Sequence, residues 1–245
     1  MPSIAFITFT HNFYDCYMTK RPTDSSSASS RTTVRRGAKR AEYEHEKILE
    51  ILRAGTVAHV GVSTEAGPLV LPMVYGITED TMYLHGALAN SLLKAGTNEE
   101  ICVTVTILDG LVFAKTPFNH SMNYRSVVVR GRPRLVTNED EVNDSLRIMT
   151  DHIVPTWNVT RNPSPSEIRA TRILALSLDE KSAKVRSGEA ENEPEDEKLA
   201  VWSGFIPITS TFGSPVSNSD SGADTPEAVK NAAGLDIHKR GSLPR

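Results

Sequence analysis

The chain has 245 residues and a formal net charge of −3, with a pI near 6.2; it is long enough to bury a core without staples, as one large domain or two small ones. This charge balance argues against a general nucleic-acid binder, so any anion site must be local. Cys16 and Cys102 form neither a disulfide framework nor a metal cluster, and no apolar run approaches the ~20 residues needed to cross a bilayer as a helix.

The opening segment is apolar but broken by His11, Asn12 and Asp15 and lacks a positive start, so it does not read as a signal peptide. With the Ser/Thr-rich stretch that follows, it makes residues 1–34 a flexible extension, and the default location is cytoplasmic. An amphipathic helix opens the ordered domain, with Tyr43, Ile48, Leu49, Ile51 and Leu52 on one face and Gly55 as its stop. Residues 56–63, 68–78 and 81–88 are short apolar segments separated by turn residues and predict a three-strand antiparallel meander. Residues 87–98 have a short helical pattern with Asn90 or Ser91 near its start.

Residues 101–115 alternate as two strands around Asp109-Gly110, a hairpin signal. The β-branched run Val127–Val129 sets a long strand over 126–136, with a bulge or edge at Gly131 and Pro133. A helix over 138–154, capped by Asn138, covers the sheet. A helical turn starts near Ser166, and residues 172–186 predict one final strand. Residues 187–198 read as a flexible acidic insert, and 210–245 as a disordered tail. So many short strands need their edges hidden, so a closed or nearly closed antiparallel barrel is expected rather than a doubly wound parallel sheet.

Three groups of residues have the chemistry of an anion and ring site. His85 ends an apolar strand immediately before Gly86, where a backbone can approach a bulky ligand, and Asn90, Ser91 and Lys94 follow as phosphate partners. In the segment FNHSMNYRSVVVRGRPR, Arg125 offers paired donors to a terminal phosphate, Ser121 and Ser126 add hydroxyls, and Tyr124 offers a ring to stack on. Lys184, Arg186 and Trp202 flank the acidic insert as two cations and a flat apolar wall. Each has a plain structural reading too: an arginine paired with an acid of the 138–154 helix, turn serines, a packed tyrosine, a core tryptophan. His59, His85, His120 and His152 lack a compact metal signature, and no dinucleotide, P-loop or nucleophile-elbow motif occurs.

YLHG with the helix after it, ICVTVT, LDGLV, HSMNYRSVVVRG, SAKVR and VWSG together resemble the FMN-binding split-barrel proteins of the pyridoxamine 5'-phosphate oxidase-like superfamily, in the flavin-nucleotide-binding branch that includes nitroimidazole-resistance-like proteins. The resemblance runs over about residues 35–209. It implies a mainly β fold, a six-stranded antiparallel split barrel with short flanking helices, paired as a homodimer with FMN in the groove between subunits. His85 and Gly86 to Lys94 then match the region beside the ribityl phosphate. Tyr124, Arg125, Ser126 and Val127 match the signature strand, and Lys184, Arg186 and Trp202 match a late segment that approaches the cofactor.

The family's pyridoxal-phosphate grip is not evident, because after WSG the chain continues as FIPITSTFG. The expectation is therefore an FMN-dependent oxidoreductase with an unidentified small-molecule substrate and NAD(P)H as candidate electron donor. A noncatalytic flavin- or haem-binding protein of the same fold is the alternative. No membrane or nucleic-acid partner is expected.

Overall fold

The computed structural model describes residues 29–243. The first 28 residues, with most of the expected N-terminal extension, lie outside the described part. In chain order the elements are β1 (Ala41–Glu42), α1 (His45–Ala54), β2 (Ala58–Thr64), β3 (Gly67–Met73), β4 (Tyr75–Ile77), β5 (Thr81–Ala87), α2 (Ser91–Gly96) and β6 (Ile101–Phe113). They continue with β7 (Ser121–Gly131), β8 (Arg134–Leu135), α3 (Glu139–Ile153), α4 (Pro165–Arg169), β9 (Thr171–Ser177), β10 (Lys181–Arg186), β11 (Gly204–Pro207) and α5 (Glu227–Ala232).

Two antiparallel sheets form the split barrel. One runs β1-β10-β7-β6-β2-β3, with β11 added to the far half of β6; the other runs β4-β5-β9-β8. The chain crosses between them at Val74, at 132–133 and at 178–180. These crossings explain three differences from the expected elements. The 68–78 segment splits into β3 and β4, which leave the meander for different sheets; the 126–136 strand divides into β7 and β8; and the 172–186 strand divides into β9 and β10. The expected six strands become eleven among the described residues, several of them only two or three residues long.

Period-two alternation sorts side chains between layers. Val60, Val103, Val105, Val127 and Val129 of the larger sheet point inward, onto Met82, Leu84, Leu174 and Leu176 of the smaller. Ile48, Leu49, Ile51 and Leu52 of α1 and Leu92 and Leu93 of α2 join this core. Tyr83, Ile173 and Ala175 point the other way and form a second cluster with Met149 of α3. Asn138 caps α3, its side chain accepting from the Glu141 N–H, and Asn90 caps α2 by accepting from Leu93. Ser164 caps α4 with a full capping box, two residues before the expected start.

α1 ends at Gly55, whose backbone is extended, and a side chain does not fit there: a Cβ would stand 2.2 Å from Val105 and 2.7 Å from the Tyr75 hydroxyl. Asp109-Gly110 is not a hairpin turn. β6 continues through it as one strand of 13 residues with a register shift between Leu108 and Gly110. Its glycine admits the backbone of β11, since a Cβ on Gly110 would lie 2.9 Å from the Ile206 carbonyl oxygen.

The segment after residue 210 differs from the disordered tail expected of its composition. Thr211 bridges Asp236, and Arg240, only 4% exposed, is inserted against the end of α1. Its Nε donates to the His152 carbonyl at 2.7 Å and its guanidinium to the carbonyls of Ala54 at 2.7 Å, Ile237 at 2.8 Å and Gly55. A cation suits this position, because the last carbonyls of a helix carry its negative dipole end. The acidic insert is also fastened: Lys115 donates through its backbone N–H to Asn192 and through Nζ to the carbonyls of Glu197 and Leu199, and Lys39 pairs with Glu191.

Candidate functional site

The β7–β10 register brings half of the predicted residues together. Lys184 lies opposite Ser126 and Arg186 opposite Tyr124, with Thr106 and Leu108 of β6 continuing the same rows. Ser126 Oγ donates to the Lys184 carbonyl at 3.3 Å. Val127, one residue on, turns inward and is fully buried, so its side chain belongs to the core and only its backbone belongs to this strand face.

Arg186 is the cation that the barrel buries most completely in this region, at 7% exposure. It donates to the Asn123 amide oxygen at 2.5 Å and to the Glu189 carbonyl at 3.0 Å, while Asn123 Nδ2 donates to the Gly188 carbonyl at 3.0 Å. No carboxylate lies within ion-pair distance of Arg186 among the described residues, and its buried Nε has no hydrogen-bond partner. Glu191 acts on Arg186 only through space and makes its ion pair with Lys39; burying a charge without a direct ion pair is costly, so this arrangement suits an incoming anion.

Arg125 is differently placed. Its Nε and one terminal nitrogen hold both carboxylate oxygens of Asp109 at 2.9 and 2.7 Å. That hydrogen bond is the main reason its proton is held even more firmly than usual, ahead of opposing burial and of the nearby charges of Asp109 and Asp236. The partner is thus an acid on the neighbouring strand, not on α3. Ser121 opens β7 opposite Val112. Trp202, two-thirds exposed, stands 6.0 Å from the Phe113 ring, and His120 meets Phe113 edge-on at 5.4 Å. His120 Nδ1 accepts from the Ala114 N–H at 3.2 Å.

The remaining predicted residues lie on β5 of the smaller sheet and on α2 after it. Gly86 and His85 are neighbours on β5 but face opposite ways. Gly86 faces α2, where a Cβ would press on Leu93 at 2.9 Å and on Asn90 at 3.2 Å. Ser91 and Lys94 are exposed on α2. His85 instead lines a cleft with Leu146 and Ile168, and burial lowers its affinity for a proton. Arg172, absent from the sequence-based set, lies opposite Gly86 in register and has a buried terminal nitrogen without a partner. Its only sequence signal is a cation at the start of an apolar strand, which is too common to single it out.

A set of three acidic or imidazole groups, His45, Glu46 and Glu79, lies within ligand distance of one another on the surface. Arg53 already pairs with Glu46 and Glu79, so this is an ion-pair network. No helix of the described residues is long and apolar enough to cross a membrane.

The family model described as pyridoxamine 5'-phosphate oxidase matches residues 44–185, more than half of the chain. No curated protein matches. Among solved structures, the flavocytochrome Anf3 from Azotobacter vinelandii is 35% identical, with a TM-score of 0.81 over 85% of this chain and all of its own. The FAD and haem binding protein from Mycobacterium smegmatis is 27% identical, with a TM-score of 0.76 over 81% of this chain and 98% of its own. With the two-sheet barrel and the matched span in agreement, the chain belongs to the pyridoxamine 5'-phosphate oxidase family.

Proposed function

We propose that this protein binds a flavin nucleotide against β7 and β10 and transfers a hydride between the flavin and a small molecule. The observation that carries the reading is Arg186, a buried guanidinium with an unpartnered Nε and no carboxylate within ion-pair distance among the described residues. Lys184 stands two residues away on the same strand and faces Ser126 across the ladder. Two cations and a hydroxyl so placed suit a terminal phosphate through charge-assisted hydrogen bonds. Arg125 keeps one terminal nitrogen outside its pair with Asp109, and Tyr124 is set in the Arg186 row to meet the ring. A bound flavin supplies the redox chemistry itself, and the protein's part is to orient the partners and exclude water.

Gly86 and Arg172 of the smaller sheet, with Asn90, Ser91 and Lys94 at α2, form a second polar group. In a homodimer, a partner subunit would bring its own copy of that group toward the β7–β10 face. FMN is the proposed flavin and NAD(P)H the proposed donor. The Mycobacterium smegmatis relative is named for FAD, which makes the dinucleotide the alternative.

The names of both relatives also include a haem or a cytochrome, which supports a second reading in which haem binds beside the flavin. His59, exposed on β2 opposite Thr104, is an imidazole on the larger sheet without a hydrogen-bond partner among the described residues.

The absorption spectrum of the isolated protein tests both readings. A flavin spectrum, with FMN released on denaturation, is expected; FAD release would change the cofactor, and a Soret band would add the haem. Arg186→Leu is expected to weaken flavin retention by about ten- to a hundredfold while the thermal melt stays cooperative. A colourless protein that takes up neither FMN nor FAD would overturn the proposal.

A further inference from the structure

The cleft at His85 has a chemistry of its own. It has a volume of about 450 Å³ and is lined by His85 of β5, Leu146 of α3, Pro163, Arg161, and Ile168 and Glu167 of α4, with Thr171 at its edge. Its charged groups are spent on each other. Arg161 holds both oxygens of Glu167 at 2.7 and 2.6 Å, and the same carboxylate accepts from the Ser164 N–H at 2.7 Å. Thr171 donates its hydroxyl to the Glu167 carbonyl at 2.9 Å. What remains for a ligand is the apolar wall of Leu146, Ile168 and Pro163 and one imidazole.

That imidazole is unsatisfied. Among the described residues neither ring nitrogen of His85 has a hydrogen-bond partner, and Nδ1 is sealed from water. A sealed N–H without an acceptor is rarer and costlier than a sealed lone pair. The proton therefore belongs on Nε2, the ring nitrogen that is not sealed, and burial keeps the ring uncharged near neutral pH.

We propose that this cleft binds a flat, uncharged ring that carries a carbonyl or imine acceptor, held by His85 Nε2–H between Leu146 and Ile168. The proposal does not depend on the flavin reading. His85 and Gly86 point to opposite faces of β5, so a phosphate gripped beside Gly86 and α2 lies across the sheet from this cleft.

Three probes of one shape separate the terms: coumarin, with a carbonyl; naphthalene, without one; and 2-naphthoate, which adds a negative charge. Binding is read by titration calorimetry and by the ring resonances of His85 in histidine-labelled protein. Coumarin is expected to shift the His85 resonances saturably and to bind about tenfold tighter than naphthalene, with 2-naphthoate weakest. In His85→Phe, coumarin should fall to the level of naphthalene, and Ile168→Trp should abolish binding of both. Naphthalene binding as tightly as coumarin, 2-naphthoate binding tightest, or no saturable shift at His85 would each overturn the proposal. The ranking in the unsubstituted protein decides it even if a variant fails to fold.

Discussion

Arg125 grips Asp109 across β6 and β7 with two parallel hydrogen bonds of 2.9 and 2.7 Å. The carboxylate is presented by the irregularity between Leu108 and Gly110, so the kink in β6 positions the acid. The geometry is the strong, forked kind, but both side chains are about one-third exposed, so solvent screens the attraction. A double-mutant cycle with Asp109→Asn and Arg125→Met, read by urea unfolding, should return a coupling of about 1 kcal/mol. A coupling indistinguishable from zero would make the pair a surface contact without consequence for stability.

Arg240 offers a sharper test. Its guanidinium serves four main-chain carbonyls and approaches the His152 ring at 3.0 Å, and no acid among the described residues pairs with it. Arg240→Met should cost about 3 kcal/mol, because carbonyls at the end of α1 lose charged donors while remaining enclosed. It should also expose the segment after Pro207 to limited proteolysis. A variant that melts with the native protein and resists cleavage would show that the segment is held elsewhere.

The acid limb of stability should report on His85. Burial depresses its pKa below the ordinary 6.5, so above that value the ring is neutral in both folded and unfolded chains and adds no pH dependence. As pH falls below 6.5, the unfolded chain takes up a proton that the folded one resists, and stability is lost. His85→Phe removes this contribution. Between about pH 7 and about pH 5, the native protein should lose more stability than the variant; parallel pH profiles would deny that the ring is buried uncharged.

Much of this architecture was legible in the chain because local rules agreed with the tertiary fold. The valines of β7, the Asn138 and Asn90 caps and the apolar face of α1 each behave as their patterns demand. Where reading failed, a distant partner decided. Asp109-Gly110 has the composition of a turn, yet β11, nearly a hundred residues later, needs that glycine for close approach. Strand breaks at Val74 and at 178–180 follow from a change of sheet, which no short window of residues reveals.

The candidate site was legible in part for the same reason. Tyr124, Ser126, Lys184 and Arg186 were named from chemistry and are aligned by one ladder. Arg125 was named as well, but its carboxylate partner comes from the misread hairpin. The opposite orientations of His85 and Gly86 follow from simple alternation; what the sequence could not supply was the identity of the layer on each side. Arg172 needed coordinates, since an unpartnered nitrogen has no signature in one dimension.

The seating of Arg240 on the Ala54 carbonyl joins positions 186 residues apart. Closing so long a loop is entropically expensive, and its reward arrives only once α1, α3 and the barrel already stand. Without Arg240 the α1 terminus would present bare carbonyls to solvent. Because the contact needs α1 and α3 both in place, cleavage beyond Pro207 is a sensitive gauge of whether the whole body is intact.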